Sequence, residues 1–348
     1  MKKIFIVTGA MGYLGNNIVR KLLDRGEIVR CLALKNDQCE SLKGLDVQIF
    51  QGDICDIASL EDIFSTPVGY DVYVIHAAGI VTIASKYNEA VWKVNVDGTA
   101  NIVKMCEKCH VKKLAYVSSI HTTPEAEGIL SEVDRFDPDA VEGLYAKTKA
   151  TASNLVLDAA ARGLDAVVVQ PAGIIGPGDY GRGHITQMVK DYVDGRLIAG
   201  VKDGGYAFVD VRDVADGILA ACDKGRAGQC YILSKGYCSV QELLDILHQV
   251  TGLKKVKTML PMWFAKLTAP LAELYYKIRR QPALFTPYSL YTLTCNGNFS
   301  NEKAVKELGF SPRSMEDTLR DTVQWLSVHG QFKNKRRLRM RKRANNNV

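Results

Sequence analysis

The sequence predicts an α/β fold built on a doubly wound parallel sheet, with a smaller C-terminal lobe. Short apolar runs, rich in β-branched residues, alternate with longer amphipathic stretches up to about residue 230. Strands that are apolar along their whole length are typical of a parallel sheet covered by helices on both faces. The 348 residues, 47% of them hydrophobic, suffice for a large core in one or two lobes.

The individual elements follow from the period of the apolar residues. Strands are predicted near residues 3–7, 28–34, 47–51, 72–76, 113–117 and 165–170. Long helices are predicted near residues 12–25, 86–109 and 144–162. Strand and helix therefore succeed each other as they do in repeated βαβ units.

Three parts of different character are expected along the chain. Residues 1–175 form the sheet domain, to which residues 205–235 return. Residues 176–204 and 236–328 form the smaller, substrate-binding lobe. Residues 329–348 form a tail with eight lysines and arginines, which is expected to be disordered. The net charge of +7 belongs to this tail, and the rest of the chain is close to neutral.

A glycine-rich turn follows the first strand directly. It reads TGAMGYLG, begins at residue 8 and precedes an amphipathic helix, which is the context in which this pattern binds a dinucleotide. Gly9 permits the tight turn, Gly12 lets the backbone approach a pyrophosphate, and Gly15 lets the helix pack close to the strand. The helix begins at Tyr13 and Leu14, where N–H groups can bind the phosphates.

The ends of the second and third strands bear on the choice of dinucleotide. An NAD site usually has a carboxylate after the second strand, which binds the ribose 2′-hydroxyl. Lys35 stands there instead and could contact a 2′-phosphate, so NADP(H) is favoured over NAD(H), although Lys35 could also be a solvated surface residue. Asp53 and Ile54 follow the third strand and are expected beside the adenine, unless Asp53 is only a turn residue.

A tyrosine and a lysine lie four residues apart in the third long helix. Tyr145 and Lys149 therefore share one helix face. The lysine charge can stabilise a phenolate that free tyrosine forms only near pH ~10, so this phenol can exchange a proton near neutrality. Ser118 and Ser119 end the fifth strand, at the sheet edge where ligands bind. They could hydrogen-bond a substrate oxygen or merely cap the strand.

Together these motifs closely resemble the extended short-chain dehydrogenase/reductase family, also described as the NAD-dependent epimerase/dehydratase family. The resemblance covers residues 3 to about 326 and rests on the order TGxxGxxG, HAAG, NVxGT, SS and YxxxK. It implies a Rossmann domain, bound NAD(P) and a Ser–Tyr–Lys catalytic set. The catalytic serine matches Ser119, with Tyr145 and Lys149 as the other members. Asn95 matches the helix asparagine that supports the proton relay.

The same resemblance assigns two further segments to the coenzyme. The first ends the fourth strand, where small side chains leave room for a ligand over the sheet edge: Ala77, Ala78 and Gly79. The second follows the sixth strand and usually lies along the nicotinamide: Pro171, Gly173 and Ile174. Gln170 stands where the family often has arginine, which puts a charged contact there in doubt.

Departures from the sugar-nucleotide enzymes bear on the substrate. Those enzymes often have glycine where Ala146 stands and serine where Thr148 stands, and Ser153 replaces a common glutamate. Residues 260–280 carry apolar residues at helical spacing with flanking cations, which resembles the 3β-hydroxysteroid dehydrogenase and dihydroflavonol-reductase branch. The segment could otherwise be an ordinary helix of the smaller lobe.

The resemblance therefore implies an NAD(P)-dependent oxidoreductase that interconverts an alcohol and a ketone or aldehyde. The expected substrate is apolar, of steroid or flavonoid type, with Tyr145 as general acid/base. A nucleotide-sugar 4-epimerase or dehydratase is the alternative within the enzymes. A non-catalytic dinucleotide-binding regulator is a second alternative, although such proteins typically lack the tyrosine or the lysine.

Composition bears on location and partners. Only four apolar residues follow Lys2 and Lys3, too few for a secretion signal, and no apolar run approaches the ~18 residues of a membrane span. Nine scattered cysteines are typical of reduced thiols, so a cytoplasmic protein is expected. The basic tail and the 260–280 helix could touch a membrane surface. No specific nucleic-acid partner is expected.

Two further expectations concern metals and assembly. No metal site is expected, because the CxxCH pattern at residues 106–110 lies at a helix end and no further ligands are placed near it. A homodimer formed through the helices near residues 86–109 and 144–162 is implied by the family resemblance.

Overall fold

The computed structural model describes residues 2–82, 87–180, 183–268 and 287–333. Their contacts divide the chain into two compact units. The first unit comprises Met1–Ala172, Val211–Ser234 and Phe299–Ser311. The second comprises Gly173–Asp210, Lys235–Asn298 and the chain from Pro312 onwards.

The described strands are, in chain order, β1 (Lys2–Thr8), β2 (Ile28–Ala33), β3 (Gln48–Gln51), β4 (Tyr70–His76), β5 (Lys113–Val117), β6 (Ala166–Pro171), β7 (Gly173–Ile175), β8 (Ala199–Val201), β9 (Gly205–Asp210), β10 (Cys230–Leu233), β11 (Gly236–Ser239) and β12 (Thr258–Leu260). The described α-helices are α1 (Tyr13–Asp24), α2 (Glu61–Phe64), α3 (Glu89–Trp92), α4 (Gly98–Lys108), α5 (Leu144–Ala161), α6 (His184–Asp194), α7 (Val211–Lys224) and α8 (Val240–Thr251). Residues 262–268 are also helical, and Pro287–Thr292 and Met315–Val328 form later helices.

The sheet of the first unit has seven parallel strands in the order β10-β6-β5-β4-β1-β2-β3. The chain proceeds outward from β1 through β2 to β3 and then crosses back to β4 on the other side of β1. Ligands bind at such a switch point, outside the carboxyl ends of the strands. The predicted doubly wound fold and its six strands are confirmed. The seventh strand, β10, was not predicted, although Cys230–Leu233 is an apolar run as short as those of β1 and β5.

The long helix predicted over residues 86–109 contains an irregularity. A π-helical turn at Lys93–Asp97 separates α3 from α4. Single π turns inside α-helices recur at functional sites. This turn contains Asn95, the residue to which the family resemblance assigns a role in the proton relay.

The second unit contains two small sheets. One has the order β11-β9-β7, and the other pairs β12 with β8. Helix α8 begins at a capping box in which the Ser239 hydroxyl accepts the Glu242 N–H and the Glu242 carboxylate accepts the Ser239 N–H. Helices α6, α8 and Met315–Val328 pack their apolar sides into one core.

The unit boundaries differ from the expected ones in several places. Residues 173–175 lie in the second unit, because β7 pairs with β9. Strand β9 pairs only with strands of the second unit, so residues 205–210 do not return to the sheet domain. Phe299–Ser311 belongs to the first unit, because Glu307 accepts hydrogen bonds from Arg226 and Tyr231. Phe332 is buried and the Lys333 N–H binds Asp194, so the tail cannot begin at residue 329.

Parts of two sequence predictions lie outside the described residues. These are residues 334–348 of the basic tail and residues 269–286, which include most of the predicted 260–280 helix. Within the described ranges, no helix has both the length and the apolar character that a bilayer crossing demands. All nine cysteines are described, and none is joined in a disulfide.

Candidate active site

The glycine turn forms a tight cradle at the end of β1. Gly9 has φ +71°, and its carbonyl accepts the Gly12 N–H at 3.0 Å. A Cβ added at Gly15 would lie 2.1 Å from the Gly9 carbonyl oxygen, so α1 approaches the turn as closely as only glycine permits. Gly12 caps α1 without a side-chain bond, and the first turn contains no acidic residue. This helix end therefore suits a pyrophosphate.

A cleft of about 740 Å³ lies at the ends of β2 and β3. It brings together Lys35 and Asp53, the two polar residues expected beside the adenosine. Asp37 also lines it, four positions after β2, although the sequence has no acid directly at the strand end and this carboxylate was not predicted to contact the coenzyme. One carboxylate oxygen of Asp37 accepts the Cys39 N–H at 2.8 Å, and one of Asp53 accepts the Cys55 N–H at 2.9 Å. Both aspartates therefore cap a turn with one carboxylate oxygen, and the other oxygen could accept a hydrogen bond from a ligand in the cleft.

Ile54 has a different environment from its neighbour Asp53. Its side chain is buried, and a Cβ added at Gly98 would lie 2.7 Å from it. Its carbonyl accepts a hydrogen bond from the Asn101 side chain at 2.8 Å. Ile54 therefore docks the loop after β3 onto α4.

The small residues after β4 meet the π turn and helix α5. A Cβ added at Gly79 would lie 3.2 Å from the Asn95 Oδ1 and 3.9 Å from the Lys149 Nζ. The Asn95 carboxamide accepts the Ile80 N–H at 2.8 Å and donates to the Ile80 carbonyl and the Thr148 hydroxyl, both at 3.0 Å. Asn95 therefore ties the segment after β4 to the helix that carries Lys149.

Lys149 is buried at the carboxyl end of β5. Its ammonium donates to the Val117 carbonyl at 2.6 Å and lies 4.3 Å from the centre of the Tyr116 ring. Burial lowers the pKa of Lys149 to about 7. The lysine therefore changes charge within the range in which an acid/base group must work. The Val117 carbonyl was not predicted, because a main-chain acceptor leaves no signal in the sequence.

Tyr145 lies half-buried in the first turn of α5, one helical turn before Lys149. Burial and the nearby charge of Tyr145 both raise the pKa of Tyr116. Tyr145 and Lys149 are thus both close to Tyr116. This arrangement can hold a phenol and an ammonium in one low-dielectric pocket, where their attraction is stronger than in water.

The serine pair after β5 separates into two roles. The Ser153 hydroxyl donates to the Lys149 carbonyl, so its hydrogen bond with the Ser118 hydroxyl, 2.7 Å long, has Ser118 as donor. Ser118 thus joins β5 to α5. The Ser119 hydroxyl accepts the His121 N–H at a long 3.3 Å. That weak cap leaves the hydroxyl proton of Ser119 for another acceptor.

Gln170 supports the same turn. It is buried, and its amide nitrogen donates to the Thr122 hydroxyl at 3.0 Å. That hydroxyl donates in turn to the Ser119 carbonyl at 2.7 Å. Gln170 thus offers a neutral amide at the position where the family often has arginine. This amide holds the segment that carries Ser119.

The last predicted coenzyme residues fall in different units. Pro171 ends β6 of the first unit, whereas Gly173 and Ile174 belong to β7 of the second. A Cβ added at Gly173 would lie 2.6 Å from the Tyr206 ring, so this position is closely packed within the second unit. Over the described residues, no three His, Cys, Asp or Glu side chains are grouped to hold a metal ion.

Known proteins show which family the chain belongs to. A family model described as the NAD dependent epimerase/dehydratase family matches residues 5–233. The chain belongs to this family. It is an NAD(P)-dependent oxidoreductase of the extended short-chain dehydrogenase/reductase type, and the cradle at Gly9 and Gly15 has the close backbone approach that a dinucleotide requires.

Relatives extend over nearly the whole chain. Sterol demethylase protein B of Methylococcus capsulatus is 31% identical over 93% of this chain and 98% of its own. The 3 beta-hydroxysteroid dehydrogenase type 7 of Mus musculus is 30% identical over 93% of this chain and 96% of its own. The crystal structure of gox2253 matches with a TM-score of 0.81 at 27% identity, covering 95% of this chain and 99% of that one.

Replacing Lys149 by methionine should change how stability depends on pH. In the folded protein the pKa of Lys149 is about 7, against 10.5 for an ordinary lysine. Between these values the unfolded chain binds the extra proton, so the free energy of unfolding of the wild type rises with pH by about 1.4 kcal/mol per unit. Lys149→Met lacks this contribution. The free energy of unfolding of Lys149→Met should therefore exceed that of the wild type by the largest amount at pH 7 and below. The difference should shrink towards pH 10.

Urea denaturation of both proteins at several pH values measures this difference. The same series with Lys147→Met provides the control, because Lys147 lies on the same helix but is more exposed. A difference between Lys149→Met and the wild type that does not vary with pH would show that Lys149 has an ordinary pKa.

Proposed function

We propose that this protein transfers a hydride between NADP(H) and an alcohol or ketone of an apolar, steroid- or flavonoid-like molecule. The observation that carries the proposal is the convergence of Gly79, Asn95 and Lys149 beside the carboxyl ends of β4 and β5. This convergence brings the acid/base helix to the sheet edge that also holds the glycine cradle. The bound coenzyme would supply or accept the hydride.

The protein's own groups then handle the proton and the substrate oxygen. Tyr145 gives a proton to the alkoxide that forms on reduction, or takes it from the alcohol on oxidation. The ammonium of Lys149 favours the tyrosine phenolate through its charge. Ser119 donates its hydroxyl proton to the substrate oxygen and stabilises the charge that develops there. Asn95 and Gln170 hold the segments that carry these groups.

The relatives support an apolar substrate, because the names of both the bacterial and the mouse protein refer to sterols or steroids. Purified protein should be incubated with NADP⁺ and 3β-hydroxysteroids, and with NADPH and ketosteroids, flavanonols or aldehydes, while coenzyme absorbance is followed. Steroid-dependent change supports the proposal. Isomerisation of a UDP-sugar without net coenzyme turnover would support the epimerase instead, and coenzyme binding without any turnover would support the regulator.

NADP(H) preference is proposed from Lys35, which lines the cleft at the ends of β2 and β3. We expect Lys35→Ser to weaken NADPH binding about tenfold or more, as for the loss of a charged hydrogen bond, with little effect on NADH binding. Fluorescence titration with the two coenzymes measures this. Lys43→Ser is the control, because Lys43 is an exposed lysine that is not among the residues lining this cleft. Equal weakening for both coenzymes would show that Lys35 does not contact a 2′-phosphate.

Membrane contact is proposed for the exposed face of helix 262–268. Trp263 and Leu267 are 67% and 69% exposed, Lys266 is exposed beside them, and Ala265 is buried on the opposite face. Together with the eight cations of residues 333–343, this face suits an anionic lipid surface.

Sedimentation with phosphatidylglycerol vesicles tests this contact. We expect Trp263→Ser with Leu267→Ser to reduce binding severalfold, because two apolar side chains lose their insertion energy. Val328→Ser, which removes an exposed valine elsewhere, should not reduce it. Equal binding of all three proteins would remove this face from consideration.

We further propose a cytoplasmic homodimer formed through α3, α4 and α5, which lie within the helices near residues 86–109 and 144–162, as the family resemblance implies. The nine cysteines without a disulfide support the compartment. Light scattering coupled to gel filtration would give the mass of the assembly. A monomer at micromolar concentration would remove the dimer proposal.

A further inference from the structure

A buried run of four hydrogen bonds connects the glycine turn with the π turn. The Ala78 N–H donates to the Thr8 hydroxyl at 3.2 Å, and that hydroxyl meets the His76 Nδ1 at 2.7 Å. The His76 Nε2 meets the Thr99 hydroxyl at 3.0 Å, and that hydroxyl donates to the Asn95 carbonyl at 2.7 Å. The side chains of Thr8, His76 and Thr99 are almost completely inaccessible to solvent.

The direction of the run follows from counting protons. A carbonyl only accepts, so the single hydroxyl proton of Thr99 is used on Asn95. Thr99 therefore accepts from His76, which places the imidazole proton on Nε2. Nδ1 of the neutral ring then accepts the Thr8 proton, and Thr8 in turn accepts the Ala78 N–H. Each proton of this run is therefore used once, and the ring carries its proton on Nε2.

The surroundings favour the neutral imidazole that this run requires. Burial, and secondarily the charge of Lys149, lower the pKa of His76 to about 3. The ring of Tyr116 packs against the imidazole with 5.5 Å between centres. Among the residues that the structure describes, no carboxylate raises the pKa of His76.

We infer that His76 is a positioning residue. Its Nε2-protonated ring holds the glycine turn, the end of β4 and the Asn95 segment in fixed positions relative to one another. Thr8 immediately precedes Gly9, where an added Cβ would lie 2.8 Å from the Ala78 nitrogen. The glycine turn and the end of β4 are therefore in close backbone contact. At the other end, Asn95 bonds Thr148 beside Lys149. The imidazole thus links coenzyme-binding and acid/base segments without touching either reactant, an inference that rests on the proposed function.

The first test reads the ring directly. Nitrogen-15 NMR of the histidines, with His76 assigned from the signal lost in His76→Gln, reports the protonated nitrogen and the charge of the ring. We expect a neutral ring protonated on Nε2 that does not titrate between about pH 5 and pH 8. A proton on Nδ1, or titration near the usual value of ~6.5, would overturn the inference. Neither outcome needs substrate or coenzyme.

The second test separates positioning from mere stability. Thr99→Ser keeps the hydroxyl that accepts from His76, whereas Thr99→Val keeps the shape and removes the hydroxyl. We expect Thr99→Val to weaken NADPH binding about tenfold, as for an unpaired buried donor, and Thr99→Ser to restore it to within about twofold of the wild type. The probe is NADPH itself, titrated by fluorescence against each folded variant.

The possible results discriminate clearly. A lower melting temperature of Thr99→Val with unchanged NADPH affinity would show that the run only stabilises the fold, and would overturn the positioning role. Failure of the wild type to bind any dinucleotide would refute the proposed function and with it the positioning role. The NMR result would still decide the proton arrangement at His76.

Discussion

Tyr145→Phe is expected to fold and to bind the coenzyme normally while kcat falls by about 10³-fold. General acid–base catalysis by a positioned side chain contributes about 10²–10⁴-fold, and this substitution removes only the hydroxyl that exchanges the proton. The aromatic ring remains in the first turn of α5, so the helix and its neighbourhood are expected to be kept. Steady-state kinetics with an active substrate from the panel, together with NADPH titration, would separate the loss of chemistry from a loss of binding.

Tyr70→Phe is the matched control for this experiment. Tyr70 begins β4, at the opposite end of the strand from Ala77 and Gly79, and loses the same hydroxyl. It should keep the wild-type kcat. If Tyr145→Phe also keeps nearly all of the wild-type activity, another group must exchange the proton, and the proposed catalytic set is wrong.

Gly15→Ala is expected to produce the largest loss of coenzyme binding. The new Cβ would lie 2.1 Å from the Gly9 carbonyl oxygen, a distance that no relaxed structure allows. Either α1 or the glycine turn must move, and overpacking of this kind costs about 1–3 kcal/mol of stability. A displaced helix end no longer aims its N–H groups at the pyrophosphate, so we expect NADPH affinity to fall about 100-fold or more.

Two glycine variants make the experiment specific. Gly26→Ala introduces a Cβ at φ +72° with no atom within 4 Å, so it should cost about 1 kcal/mol of stability and leave coenzyme affinity unchanged. Gly12→Ala brings its Cβ to 3.2 Å from the same oxygen and should fall between the two. Thermal melting and coenzyme titration of the three variants measure both quantities. Normal NADPH affinity of Gly15→Ala would place the coenzyme elsewhere.

The sheet and the cradle were predictable because their signals are local. A buried parallel strand needs a continuous apolar run, and six such runs are visible between residues 3 and 170. The glycine pattern reports backbone geometry that other residues cannot adopt, as the positive φ of Gly9 shows. The π turn around Asn95 carries no comparable signal, because its residues fit an ordinary helix equally well.

The hydrogen-bond partners within the site were not predictable. The sequence left open whether Ser118 and Ser119 contact a substrate or cap a strand. Ser118 donates to Ser153, which is 35 positions away in the chain, and this separates the two serines. Lys149 likewise donates to the carbonyl of Val117, an acceptor that every residue type carries.

The amino-acid sequence by itself determined the fold class, the family and the identity of the candidate catalytic residues, because these depend on periodicity and on short motifs. The tertiary structure alone decided which hydroxyls already make hydrogen bonds and how His76 joins Thr8 to Thr99. It also decided that burial lowers the pKa of Lys149. The physical reason is that burial and hydrogen bonding depend on groups brought together from distant positions of the chain. No pattern within one segment records those neighbours.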